Sequence, residues 1–138
     1  MYRKILVGYD GSEPGRKAFD NALALAARDK AELYVLTVVR PPVIGDDVES
    51  EAVIENSRDY HAKLLAPLKH PASAKGVKSH FEVVVGHPAE QIIYHADRHK
   101  VDLIVVGDRG RSKFTRLLLG SVSKQVVQYS DHAVLVVR

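Results

Sequence analysis

Residues 101–123 read VDLIVVGDRGRSKFTRLLLGSVS, and this stretch decides the fold. Leu103-Ile104-Val105-Val106 is a short apolar run of the kind that forms a strand buried on both faces. It stops at Gly107, passes through a glycine- and arginine-rich loop, and meets Gly120-Ser121. Ser121 to Tyr129 then reads as a helix. Backbone N–H groups in a glycine-rich turn and at a helix N-terminus are natural partners for phosphate oxygens. A strand, a glycine loop and a helix in that order point to a nucleotide phosphate site.

The rest of the chain repeats the alternation. Ile5-Leu6-Val7 with Gly8-Tyr9 reads as a first strand that ends in Asp10-Gly11-Ser12. Ser12 is a good N-cap, and Pro14 falls in a first turn where its missing N–H costs little. Ala18, Phe19, Ala22, Leu23 and Ala26 then form one apolar helical stripe. Leu33 to Val39 is a second strand, stopped by Pro41-Pro42, and the acidic stretch Val43 to Ser50 reads as a loop. Val53, Ile54, Leu64, Leu65 and Leu68 predict a second helix that Pro67 should kink or end near Ala66. Ser79 to Val85 is a third strand, and Pro88 opens a third helix with Ala89, Ile92, Ile93 and Ala96 on its inner side. Ala133 to Val137 is a final strand.

Strands alternating with helices imply parallel pairing through right-handed crossovers. The expected product is one α/β domain over residues 1–138, a doubly wound five-stranded parallel sheet with helices on both faces. Such sheets bind ligands beyond the carboxyl ends of the strands, where the strand order reverses. If the first and fourth strands are neighbours, the turns at Asp10-Gly11-Ser12 and Gly107-Asp108-Arg109-Gly110 face one crevice.

Within the loop, Gly107 and Gly110 would let backbone approach a phosphate and adopt positive φ, and Gly120 would permit the turn into the helix. Ser121 and Ser123 can donate hydroxyls, and Arg109 and Arg111 can supply charge-assisted hydrogen bonds. Glycine pairs occur in ordinary turns, so the weight rests on the full spacing between a buried strand and a helix.

That spacing, Gly-x2-Gly-x9-Gly-Ser at Gly107, Gly110, Gly120 and Ser121, resembles the ATP-binding branch of the universal stress protein family. The similarity extends to Lys4-Ile5-Leu6-Val7, Gly86-His87-Pro88 and Leu119-Gly120-Ser121-Val122-Ser123. The resemblance implies an adenine nucleotide α-hydrolase-like sheet in the order 3-2-1-4-5 and a homodimer formed through the last strand. It implies adenine and ribose contacts from Tyr9, Asp10, Gly11, Ser12 and Val38. The phosphates would lie against Gly107, Arg109, Gly110, Arg111, Gly120, Ser121, Val122 and Ser123. ATP, with Mg²⁺ or Mn²⁺, is the implied ligand. Two departures stand out: Asp108 places a negative charge inside the phosphate loop, and His132-Ala133 stands where many members have Cys-Pro. Asp108 must point away from the phosphates or sit near a cation.

Composition bounds the alternatives. A net charge of +3 and scattered basic residues argue against nucleic acid or an anionic membrane as partner. The basic run Arg109, Arg111, Lys113 and Arg116 has only Phe114 as an aromatic companion, so a phosphate role or a solvated loop is the expectation. With no cysteine, thiolate catalysis and cysteine-ligated zinc are excluded. No signal-peptide core or membrane span is apparent, and a cytoplasmic protein is expected. Asp10 can bind metal, touch nucleotide or merely shape its turn. His95 and His99 have the i, i+4 spacing of zinc ligands, yet no glutamate follows the first, so a solvated helix face is expected. The apolar run Val134 to Val137 reads as core that can also be a sheet edge, and pairing across a two-fold axis would cover such an edge.

The expected function is ATP-dependent regulation in a stress response. A slow ATP-hydrolysing enzyme and a nucleotide-free scaffold dimer are the alternatives. No Walker-type Gly-Lys-Ser/Thr and no base placed to activate water can be picked out, which disfavours turnover. The Ser-Gly-Gly-x-Asp-Ser loop of adenylating relatives is matched only by Asp10-Gly11-Ser12.

Overall fold

The computed structural model describes residues 1–41, 47–108 and 119–138; for 47–55 and 57 it describes the backbone. Strands β1 (Lys4–Gly8), β2 (Glu32–Val39), β3 (Ser79–Val85), β4 (Leu103–Gly107) and β5 (Ala133–Val137) form one sheet. Its order is β3-β2-β1-β4-β5, and every pairing is parallel. Five parallel strands were expected from the alternating pattern, and their order from the resemblance to universal stress proteins. Helices α1 (Glu13–Asp29) and α2 (Asp47–Ala74) cover one face, and α3 (Pro88–His99) and α4 (Ser121–Tyr129) cover the other.

Period-two alternation sorts the strand residues. Ile5, Val7, Leu33, Val35, Leu103 and Val105 pack beneath α1, whose Ala18, Phe19, Ala22, Leu23 and Ala26 are all buried. Leu6, Leu36, Ile104 and Val106 point the other way, against Ala89, Ile92 and Ala96 of α3 and Val126 of α4. Both central strands are thus apolar on both faces, as parallel strands between helix layers must be.

Two expectations about α2 are corrected. The helix begins at Asp47, inside the acidic stretch Val43 to Ser50 read as a loop, whose residues 43–46 lie outside the described part. It also runs through Pro67 and Pro71 to Ala74, which excludes an end near Ala66, one of the two outcomes expected at Pro67. An interior proline costs about 3 kcal/mol in lost hydrogen bonding and ring clash. Leu65, Leu68 and Ala72 are buried against β2 and β3, and each leucine contributes about 1.5–3 kcal/mol. Pro67 is exposed, so the carbonyl it deprives of a partner lies on the outer side of the helix. Tertiary burial outweighs the local signal.

The chain start is held by Asp29, whose side chain is 3% exposed. Arg28 Nε donates to its Oδ1 at 2.8 Å, and the Tyr2 N–H donates to Oδ2 at 2.9 Å. These bonds, Arg28 first, hold its carboxyl down at about 2, against an ordinary value of 3.8. A depressed carboxyl adds stability above its unfolded value, and that stability is lost as pH falls through the folded one. The window here therefore runs from about 3.8 down to about 2. In Asp29→Asn the urea midpoint should fall less than in the native chain across that window. Parallel midpoint curves for the two proteins would show that Asp29 is not the titrating group.

Candidate functional site

β1 and β4 are neighbours, so the turns that follow them open on the same crevice at the carboxyl ends of the strands. The β1 turn is built from local chemistry. Asp10 Oδ1 accepts from the N–H and the hydroxyl of Ser12, and Ser12 Oγ accepts from the Gly15 N–H at 3.1 Å as the N-cap of α1. Asp10 therefore shapes its turn, one of the roles open to it. Thr37, fully buried, donates its hydroxyl to the Tyr9 carbonyl at 2.8 Å and ties that turn to β2.

The opposite wall is the end of β4 and the start of α4. Asp108 is buried, with its side chain directed away from the crevice lining. Its Oδ1 accepts from the Gly120 N–H at 2.8 Å, and its Oδ2 lies 3.6 Å from Arg138 Nε. Its own N–H donates to the Val137 carbonyl at 2.7 Å. Asp108 is thus a brace that joins β4, β5 and the start of α4. Gly120 is the N-cap of α4 and has no side chain to satisfy the first-turn amides of Ser121, Val122 and Ser123. No acidic residue occupies that turn, and the Asp108 carboxylate reaches the Gly120 N–H, so the amides beyond the cap have no side-chain cap of their own.

Between these walls lies a cavity of ≈ 360 Å³. That is within the roughly 300–1,000 Å³ range of small-ligand sites. Of the residues singled out in the sequence, Tyr9, Asp10, Ser12, Val38, Gly107, Gly120, Ser121, Val122 and Ser123 line it. Gly11 does not line it; at φ +84 it turns the chain, and a Cβ there would come within 3.0 Å of Leu64 Cδ1. Arg109, Gly110 and Arg111, like Lys113, Phe114 and Arg116, lie outside the described residues.

Some roles differ from expectation. Gly107 is not among the positive-φ glycines; it is needed because Pro14 of α1 packs against it. Ser123 is buried and donates its hydroxyl to the Gly120 carbonyl at 3.0 Å, so its proton goes to the helix start. Ser121 is exposed on the crevice wall.

The cavity also takes in Leu36, Val39 and Arg40 from the end of β2, His61 from α2, and Pro88 and Ile92 from α3. Arg40 directly follows a predicted strand, a signal that strand-end geometry alone would have flagged. His61 carries no such signal, because α2 reaches the crevice only through tertiary packing.

The family model for universal stress proteins matches residues 1–138. This chain belongs to that family. Universal stress protein YxiE of Bacillus subtilis (strain 168) is 37% identical over 153 residues that cover 100% of both chains. The crystal structure of a universal stress protein in complex with cAMP is similar, at 31% identity and a TM-score of 0.76. That similarity covers 99% of this chain and 97% of the other. Universal stress protein UspA from Lactobacillus plantarum superposes with a TM-score of 0.84 at 26% identity, covering 99% and 98% of the two chains. Among the described residues of this universal stress protein, no helix is long and apolar enough to cross a membrane.

Away from the crevice, the solvated-face expectation for the α3 histidines is corrected. His95 is 5% exposed and His99 is half-buried, both packed toward the sheet. Burial, and then the neighbouring His95, lower the pKa of His99. His132 fastens β5 to α3, with Nε2 at 2.7 Å from Asp97 Oδ1 and Nδ1 at 2.9 Å from the Val101 carbonyl.

Proposed function

We propose that this universal stress protein binds ATP in the crevice between the β1 and β4 turns and acts as a nucleotide-dependent regulatory homodimer. The observation that carries the reading is the joining of the Gly107, Gly120 and Ser121 motif to an uncapped α4 start in a nucleotide-sized cavity. Adenine and ribose would lie against Tyr9, Asp10 and Val38, with the phosphates toward Gly120, Ser121, Val122 and Ser123. Arg109, Gly110 and Arg111, which lie outside the described residues, would contact the phosphates if the motif acts as in the family. Asp10 is the one carboxylate among the described lining residues, so it would share a Mg²⁺ or Mn²⁺ with the phosphate oxygens. A relative in complex with cAMP supports an adenine nucleotide and raises the competing reading of a monophosphate ligand.

The dimer would form through β5, which is an edge strand and carries Leu135 at 36% exposed. Self-pairing there would cover an apolar edge.

Calorimetry with ATP, AMP and cAMP, each with magnesium, tests the ligand. Interactions along the triphosphate should make ATP bind tighter than AMP or cAMP by about tenfold or more, equivalent to roughly 1.4 kcal/mol. In Val38→Trp, an indole projecting into the crevice should abolish the heat of binding. Equal affinities would remove the phosphate-loop reading. No heat at millimolar ATP would remove nucleotide binding altogether.

A further inference from the structure

On the α3 face, toward the amino ends of the strands, one nitrogen each of His95 and His99 and one carboxylate oxygen of Glu82 lie within 4.8 Å of one another. His95 is 5% exposed, and its Nδ1 has no hydrogen-bond partner. The nearest acidic atom, Glu82 Oε2, is 4.0 Å away, too far for a hydrogen bond. A buried imidazole nitrogen left so is costly unless something occupies the space it faces. A cavity of ≈ 20 Å³ lies there, lined by Tyr34, His80, Glu82, His95 and His99. A cavity of about this size holds one water-sized guest.

The surroundings fix the rings. Tyr34 stacks on His99 with centroids 4.2 Å apart and on His80 at 4.8 Å. His80 Nε2 is engaged by Glu32 Oε2 at 2.9 Å, which leaves His95, His99 and Glu82 as the set that faces the cavity.

We propose that Glu82, His95 and His99 form a binding site for a first-row divalent cation of the Zn²⁺ class, linking β3 to α3. Two imidazoles and one carboxylate suit zinc, cobalt or nickel, whereas magnesium and calcium prefer oxygen ligands alone. Tetrahedral zinc with bonds of about 2.0–2.1 Å sets its ligand atoms about 3.3 Å apart. The set must therefore close slightly around the ion. The Glu82 side chain is 54% exposed and has the freedom to do so, and water would complete the coordination. The site shares only Leu36 with the nucleotide crevice, so it stands whether or not ATP binds. Its effect would be to fasten an edge strand to the opposite helix layer, with metal binding adding to stability.

Chelator-treated full-length protein should be titrated with Co²⁺ by visible absorption, and with Zn²⁺ by calorimetry and thermal melting. Expected are one Co²⁺ per chain with intense ligand-field bands, displacement by Zn²⁺, and a higher melting temperature with Zn²⁺ but not Mg²⁺. Loss of an outer-shell partner alone weakens metal sites by about 10–100-fold, so Glu82→Gln and His99→Gln should each lose at least that much. Both side chains are partly exposed, so these variants should keep the fold; a melting curve without metal checks it. Absence of Co²⁺ bands and of Zn²⁺ heat overturns the site. Unchanged Zn²⁺ affinity in both folded variants overturns it equally, by placing the metal on other histidines.

Discussion

Gly107→Ala should lower the melting temperature by about 10 °C, and Gly107→Val should lower it further. A Cβ at Gly107 would stand 2.5 Å from both the carbonyl carbon and the oxygen of Pro14, and 2.8 Å from the Gly15 nitrogen. These are backbone atoms at the first turn of α1, and they cannot swing aside as a side-chain tip can. Overpacking of this kind costs about 1–3 kcal/mol when the neighbours can shift. Here α1 is anchored by the Ser12 cap at one end and by buried Ala18, Phe19 and Ala22 beyond it, which puts the cost at the upper end. For a domain of this size, 3 kcal/mol corresponds to about 10 °C. The variant should also bind ATP more weakly, since any relief moves the Asp10–Ser12 turn away from β4 and widens the crevice. Unchanged melting and unchanged affinity in Gly107→Val would mean that α1 is not seated against β4.

Gly107 also shows what a sequence can and cannot disclose. That a glycine was needed at the end of the fourth strand followed from the spacing. Its reason did not, because the residue it meets, Pro14, lies on another element and only the packed fold brings the two together. The same division holds elsewhere. β3, α4 and β5 match the boundaries read from apolar period and breakers, since those signals are local. The Ser12 cap and the buried stripe of α1 were legible for that reason too. For α2 the helix end read at Pro67 is overturned, where the burial of Leu65 and Leu68 against the sheet outweighs the local signal. The helical spacing of His95 and His99 was visible. That the face they share meets Glu82 across the helix–strand interface was not, because β3 and α3 acquire their relative placement only on folding. In the crevice, Gly107, Gly120 and Ser121 were found from their spacing and Tyr9, Asp10, Ser12 and Val38 from the family resemblance, while His61 and Ile92 arrived through tertiary packing.

Asp108→Ala should weaken ATP binding, the opposite of what removing a negative charge from a phosphate loop would suggest. If Asp108 faced the phosphates, its Coulomb repulsion would oppose the ligand, and alanine would tighten binding. The geometry gives the reverse sign. The side chain is 2% exposed, with one oxygen accepting from the Gly120 N–H at 2.8 Å and the other 3.6 Å from Arg138 Nε. Gly120 is the N-cap whose following residues line the crevice proposed to take the phosphates, so Asp108 holds the start of α4 in place. Hydrogen bonds to a buried charged group contribute about 1.5–3 kcal/mol, and alanine forfeits that contribution and leaves the Gly120 N–H without its acceptor. The guanidinium of Arg138 is 59% exposed and can return to water, which keeps the loss toward the lower end of that range. If half of it appears in the placement of α4, ATP affinity falls by about threefold to tenfold. Asp108→Asn separates the two causes, because its amide oxygen still accepts from Gly120 while its charge is gone. It should bind ATP nearly as the native chain does and melt only slightly lower. Tighter ATP binding in both variants would instead mean that the carboxylate acts on the phosphates through its charge. Weaker binding in alanine with near-native binding in asparagine identifies the brace, and the measurement needs only the two variants and one nucleotide.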